Sequence, residues 1–396
     1  MPNHPVHPDI NLLDGRFYAG DPHRCFDWMR ANAPAYWDGT SQLWGITRHA
    51  DVMELSKRPE VFCSSGSSRP DAAPLPSMIN LDDPAHKRRR GLVSKGFTPR
   101  RVADHEPKIR RTCAELIGRA AAKRRFDFVR DIAAPLPMVV IGDLLGVAAE
   151  DHDLLLRWTD DLINSLSATA APAAYDAAVR AFAEYSEYHR KVVADRRARP
   201  PQDDLISVLV HAEIDGERLD NEALLQESLL ILVGGDETTR HVISGGMYAL
   251  LQHPEQYRRL LDEPGCIPSA VEEMLRWVSP VQNMNRTATR DIELHGETIR
   301  SGEKVLLLYP AANRDGAVFA DPHRFDVGRQ PNPHVAFGGY GAHFCLGASL
   351  ARLELRVMFE EIVERLPDLA LASDDPPPLR ASNFIVGLEH LPVVVQ

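Results

Sequence analysis

The feature that most restricts the fold is a helical stretch running from about Asn221 to about Leu251. It far exceeds the ~11–12-residue mean of globular helices. At ~1.5 Å per residue it spans roughly 45 Å, most of the width of a domain this size. Helix dominates elsewhere too, from Asp83-Pro84 onward. Val271 to Trp277 reads as a helix. So does Ala348 to Leu366, with Leu350, Leu353, Val357, Phe359 and Ile362 near helical spacing. Pro200-Pro201 reads as a loop between long helices. Short strands are predicted at Ala35 to Trp37, Leu43 to Thr47, Ile292 to Leu294 and Lys304 to Leu308. The tail, Asn383 to Val395, reads as a small hairpin. No internal repeat, low-complexity tract or domain boundary interrupts the pattern. The expectation is one mainly α domain over residues 1–396 with a smaller strand-rich part.

A hydrophobic fraction of 44% leaves ample material for a large core. A net charge of −11 argues against a nucleic-acid partner. The start, Met1 to Pro5, lacks the architecture of a signal peptide. The best apolar run, Leu229 to Val233, falls far short of the ~20 residues of a membrane span. A cytoplasmic protein without a membrane span is therefore expected. Its five cysteines form no C-x-x-C pair, and the odd count fits a reduced compartment. Cys25, Cys63, Cys113 and Cys266 read as small buried hydrophobes.

Cys345 differs in its surroundings. It lies in the run Phe337-Gly338-Gly339-Tyr340-Gly341-Ala342-His343-Phe344-Cys345-Leu346-Gly347, and a helix follows at once. Glycines here let the backbone approach a flat ligand closely. A cysteine just before a helix N-terminus has its thiolate favoured by the dipole and the free N–H groups. Neither phosphate-loop spacing is present, and His343 is too near in sequence to act as a triad partner.

The run resembles the haem-binding loop of the cytochrome P450 family, with the interval from Phe337 to Cys345 one residue longer than usual. The resemblance implies the family's fold: a large helical lobe, a smaller strand-rich lobe and a buried haem b. It also implies Cys345 as iron ligand, with Phe337, Gly338 and Gly347 at the cofactor. A thiolate ligand pushes electron density toward iron and favours O–O cleavage.

The centre of the long helix, Leu232-Val233-Gly234-Gly235-Asp236-Glu237-Thr238-Thr239, carries two glycines that cost roughly 1 kcal/mol each against alanine. One reading is close helix packing. The other is bare backbone for a flat ligand or dioxygen, with Glu237 and Thr238 as an acid–alcohol pair delivering protons. The segment resembles the family's oxygen-activating helix at Gly234, Gly235, Glu237 and Thr238.

Charged residues complete the picture. Glu273 and Arg276 share a helix face, and the resemblance adds Arg324 as third member of a structural cluster. His86 and Arg90 share another face, and haem propionates need charge-assisted partners. The family's propionate ligands match His86, Arg90, Arg286 and His343. No acidic residue occurs from His86 through Arg101, and the basic cluster, with Arg88, Arg89, Arg100 and Arg101, suits docking of an acidic partner. No flavin, nicotinamide or iron–sulfur motif is present, so electrons are expected from a ferredoxin served by an NAD(P)H-dependent reductase.

Met78, Ile79, Val233, Val281, Met284, Phe384 and Ile385 are the apolar candidates for a substrate pocket. Within the family the chain is most similar to actinobacterial cholesterol side-chain hydroxylases, at Asp82 to His86, Ala134 to Asp143, Gly234 to His241 and Glu272 to Trp277. That similarity implies oxidation of the terminal methyl of cholesterol or cholest-4-en-3-one. Other readings are a monooxygenase of methyl-branched lipids, fatty acids or terpenes, a peroxygenase, or a haem-based sensor.

Overall fold

A computed structural model of the chain describes residues 4–166, 170–213 and 216–396. The helices used below are α1 (Ala85–Val93), α2 (Pro135–Leu145), α3 (His152–Asn164), α4 (Pro172–Ala198), α5 (Asn221–Gln252), α6 (Ile267–Val278) and α7 (Ala348–Arg365).

The long helix α5 is started by Asp220, whose side chain accepts from the Ala223 N–H at 2.8 Å. It ends before Pro254, which cannot continue the backbone ladder. Ile231, Leu232, Val242, Ile243, Met247 and Leu250 are buried along it, within one large apolar core. A side chain at Gly235 would lie 2.7 Å from Ile141 of α2, and one at Gly246 would lie 2.8 Å from Met274 of α6. Close packing therefore accounts for Gly235. Gly234 is different, since a Cβ there would meet nothing within 4 Å.

The strand-rich part is a five-stranded sheet of β1 (Ala35–Asp38), β2 (Leu43–Ile46), β3 (Phe62–Cys63), β4 (Asn283–Ala288) and β5 (Lys304–Leu308). Its order is β1-β2-β5-β4-β3, parallel only between β2 and β5. Sequence-distant segments thus share one layer, over a second core that includes Trp44, Val52, Val305 and Leu307.

Two expectations need correction. Pro200-Pro201 leads from α4 into a short helix, Leu205–His211, that precedes α5. The tail does not form a single hairpin. Pro392–Val395 pairs with both Arg125–Asp127 and Leu369–Leu371. The hairpin lies earlier, where Leu379 bridges Leu388 and the Arg380 N–H donates to the Gly387 carbonyl at 3.0 Å. Strand Pro392–Val395 finds its partners far away in sequence, which no local pattern reveals.

Candidate active site

The cysteine loop closes on itself: the Cys345 N–H donates to the Phe337 carbonyl at 3.0 Å, just before α7 begins. Gly338 adopts φ +92°, a conformation that favours glycine. Side chains at Gly339 and Gly341 would collide with Ser56, which explains why this loop carries so many glycines. At Gly347 a Cβ would meet nothing within 4 Å. Cys345 is accessible although other groups crowd around it. Burial pushes its thiol up, while the backbone N–H groups of Gly347 and Ala348 and the charges of Arg90 and Arg352 pull it down. Those N–H groups and cations are what a thiolate needs.

Behind the loop, the Arg352 guanidinium stacks on Phe337 at 4.6 Å and forks onto Glu272 at 2.7 and 2.8 Å. His334 reaches the same carboxylate at 3.0 Å. Burial alone would raise Glu272, but Arg352 and His334 bring it down to about 2.

Four basic residues gather beside the loop. The His86 and His343 rings lie 4.1 Å apart. His86 is buried, and its Nε2 has no hydrogen-bond partner. Burial, then Arg286 and His86, push His343 down to about 3. Arg90 donates to the Phe344 carbonyl, and buried Arg286 to the Asn285 carbonyl at 2.8 Å.

On α5, Thr238 Oγ1 donates to the Gly234 carbonyl at 2.9 Å, the back-bonding a mid-helix threonine makes. Glu237 is fully buried among Arg240, His241 and Arg380. None of these partners was read from the sequence. Arg240 and His241, one turn along the helix, carry a local signal in their spacing, whereas Arg380 does not. Asp236 is also buried; burial raises it to about 6, with Thr159 as hydrogen-bond donor at 3.1 Å.

Glu273 and Arg276 form a fully buried fork at 2.7 Å. The expected third side chain, Arg324, is not the one that joins them. It is exposed while its neighbour Phe325 is buried, and what it offers the cluster is its carbonyl, which accepts from Arg276 at 3.1 Å and from Arg329 at 2.8 Å. The side chain that reaches Glu273 is Arg329, with Nε 3.1 and 3.2 Å from the two oxygens.

The basic cluster is also mixed. Arg88 and Arg100 are exposed, and Arg101 pairs with Asp203 at 2.8 Å. Arg89 turns inward to the fully buried Glu227 at 3.1 Å, so it does not belong to a docking face. The same carboxylate accepts from the Met78 N–H at 2.8 Å.

The apolar candidates are spread over several elements. Met78 is buried, whereas Ile79 and Val233 are half-buried. Val281 bridges Ile385, and with Met284 it packs on the sheet core. Phe384 lies under the guanidinium of buried Arg69 at 4.2 Å, a polar neighbour the sequence did not suggest.

The family model for cytochrome P450 matches residues 77–264 and 266–394. The chain belongs to the cytochrome P450 family. As a cytochrome P450 it is a monooxygenase and binds haem b. A steroid C26-monooxygenase of Mycobacterium tuberculosis is 50% identical to it over 98% of this chain and 97% of that protein. A methyl-branched lipid omega-hydroxylase of Mycobacterium bovis is 41% identical over 92% and 87%. A Mycobacterium marinum cytochrome P450 solved with pseudoionone superposes with a TM-score of 0.90 at 34% identity, covering 100% of both chains. The site suits the family's cofactor: an accessible cysteine under backbone N–H groups, open space before Gly234 and Gly347, and an imidazole, that of His86, whose Nε2 is unpartnered beside Arg90 and buried Arg286. Among the described residues no helix is long and apolar enough to cross a membrane.

Proposed function

We propose that this cytochrome P450 hydroxylates the terminal methyl of a sterol side chain, that of cholesterol or cholest-4-en-3-one. The observation that carries this reading is the 50% identity over nearly the full chain to a steroid C26-monooxygenase.

In this reading Cys345 would hold the haem iron through its thiolate, supported by the N–H groups of Gly347 and Ala348. Haem, once bound, supplies the activation of dioxygen, and thiolate donation favours O–O cleavage. His86, Arg90, Arg286 and His343 would hold its propionates; the unpartnered Nε2 of His86 supports this role. Bare Gly234, flanked by Val233, leaves an open groove on α5. Thr238 Oγ1 holds a proton at that groove, and Glu237 resupplies it. Met78, Ile79, Val233, Val281, Met284, Phe384 and Ile385 enclose the apolar substrate. A primary carbon–hydrogen bond is harder to oxidise than its secondary neighbours, so these walls must present the chain end first. Electrons arrive from a ferredoxin and its NAD(P)H-dependent reductase, in the cytoplasm.

Incubation with cholest-4-en-3-one, ferredoxin, reductase and NADH should give the terminal alcohol. Ring hydroxylation would refute this pose. Failure of every C27 sterol to bind, with tight binding of a fatty acid or terpene, would refute the substrate class. The 41% identity to a methyl-branched lipid omega-hydroxylase makes such lipids the second reading, with the same terminal attack.

A further inference from the structure

Both oxygens of the buried Glu237 carboxylate are engaged, but by partners held in different ways. Oε1 meets Arg240, one turn further along α5. Arg240 is itself anchored to Asp160 of α3 at 3.0 Å. Oε2 accepts from Arg380 Nη1 at 3.0 Å and lies 3.2 Å from His241 Nε2.

Arg380 comes from outside the helix. It sits on a two-stranded arm closed by Arg380 N–H to Gly387 carbonyl and Glu389 N–H to Pro378 carbonyl, each 3.0 Å. The tip of that arm carries Phe384 and Ile385. It is sewn to the segment after α6 by Gln282 N–H to Phe384 carbonyl at 2.8 Å and Val386 N–H to Pro280 carbonyl at 3.0 Å. The return strand also presses on α5: a Cβ at Gly387 would lie 1.9 Å from His241 Nδ1. The arm therefore meets the long helix twice, at Glu237 and at the next turn, with no slack.

We propose that Arg380 is a positioning residue for the reaction: it fixes the carboxylate of Glu237, the residue before Thr238 on α5, and ties proton handling to the seating of the arm that carries Phe384 and Ile385. This rests on the role of Glu237 proposed above. A buried carboxylate needs charge-assisted partners. Without Arg380, the remaining cation is Arg240, which Glu237 shares with Asp160. His241 does not replace it, because burial above all, and then Arg240, disfavour the charged imidazole. The carboxylate would swing toward Arg240 and lose its fixed place at Oε2.

The test is a double-mutant cycle on product formed per NADH, with affinity followed by the substrate-induced change in the haem spectrum. The substrate is whichever of cholest-4-en-3-one and a methyl-branched fatty acid is turned over. R380Q should lower product per NADH by roughly 5- to 20-fold, less than the ~10²-fold or more of a removed proton donor. Affinity should change less than about twofold. In an E237Q background, R380Q should change product per NADH by less than about twofold, because contacting residues do not act additively. R380K keeps the charge without the planar guanidinium and should fall between R380Q and wild type. It carries the same cycle if R380Q fails to retain haem. Equal losses in both backgrounds, a loss confined to affinity, or unchanged product per NADH would each overturn the role of Arg380 while leaving that of Glu237 intact. An E237Q variant with unchanged product per NADH would instead overturn the role of Glu237, and this proposal with it.

Discussion

Single residues at this site are defined by what their neighbours leave open. Gly234 and Gly235 are adjacent and identical, yet Gly235 is required by Ile141 and Gly234 by nothing in the protein. The sequence pattern could not separate them, because the distinction is made by α2, about a hundred residues earlier. Cys345 was legible for the opposite reason: its glycines and the following helix are local. Replacing it by serine removes the proposed iron ligand while keeping the side-chain size. Cys345→Ser should lose the red-shifted Soret band of the reduced carbon monoxide adduct, and retention of that band would end the assignment. Thr238→Ala should retain haem and bind substrate, but divert reducing equivalents to peroxide, cutting product per NADH by ~10²-fold or more. Unchanged product per NADH would remove Thr238 from the mechanism.

Between elements, burial decides which of several similar charges matters. The helices and most strands could be read from periodicity, and Glu273 with Arg276 from helical spacing. The third partner could not, since Arg324 and Arg329 occupy one irregular loop and only packing turns Arg329 inward. Breaking a buried ion pair costs about 3–5 kcal/mol, whereas an exposed arginine contributes about 0–1 kcal/mol. Arg329→Met should therefore lower the denaturation midpoint markedly and Arg324→Met hardly at all; equal effects would contradict the assignment.

Glu227 makes a second such junction, tying Met78 and α1 to α5. Burial pushes its carboxyl up to about 7 against the pull of Arg89. A group whose pKa is raised by folding binds its proton more tightly in the folded state. Its contribution is complete below the ordinary range near ~4.3 and is lost as pH rises through about 7. Relative to Glu227→Gln, which stays neutral, the wild type should lose stability as pH rises from about 4 to about 7 in denaturant titrations. A pH-independent difference would show that Glu227 is ionised throughout.

Across the whole molecule, the contrast of charge is between a net −11 and one basic face near the cysteine loop. Lys87, Arg88, Lys95 and Arg100 are exposed there. Arg90, on the same helix, donates to the carbonyl of Phe344, the residue before Cys345. A surface cavity of about 320 Å³ joins the two, lined by Asp83, His86, Lys87, Arg90, Gly91, Ser94 and Ala342. The face thus meets the loop that carries the proposed iron ligand, and it would give the proposed acidic electron donor a short route. Steering by such a face raises association rates by about 10–10³-fold and is screened by salt over about 8–10 Å. Arg88→Glu with Arg100→Glu should slow ferredoxin-driven turnover about tenfold or more at low salt and flatten its salt dependence. Turnover driven by added peroxide needs no donor protein and should be spared. Arg89→Glu serves as the contrast. It breaks the pair with Glu227, so both assays should fall together with haem retention. Equal losses in both assays for the Arg88 and Arg100 variant would place docking elsewhere on the surface, as would no loss in either.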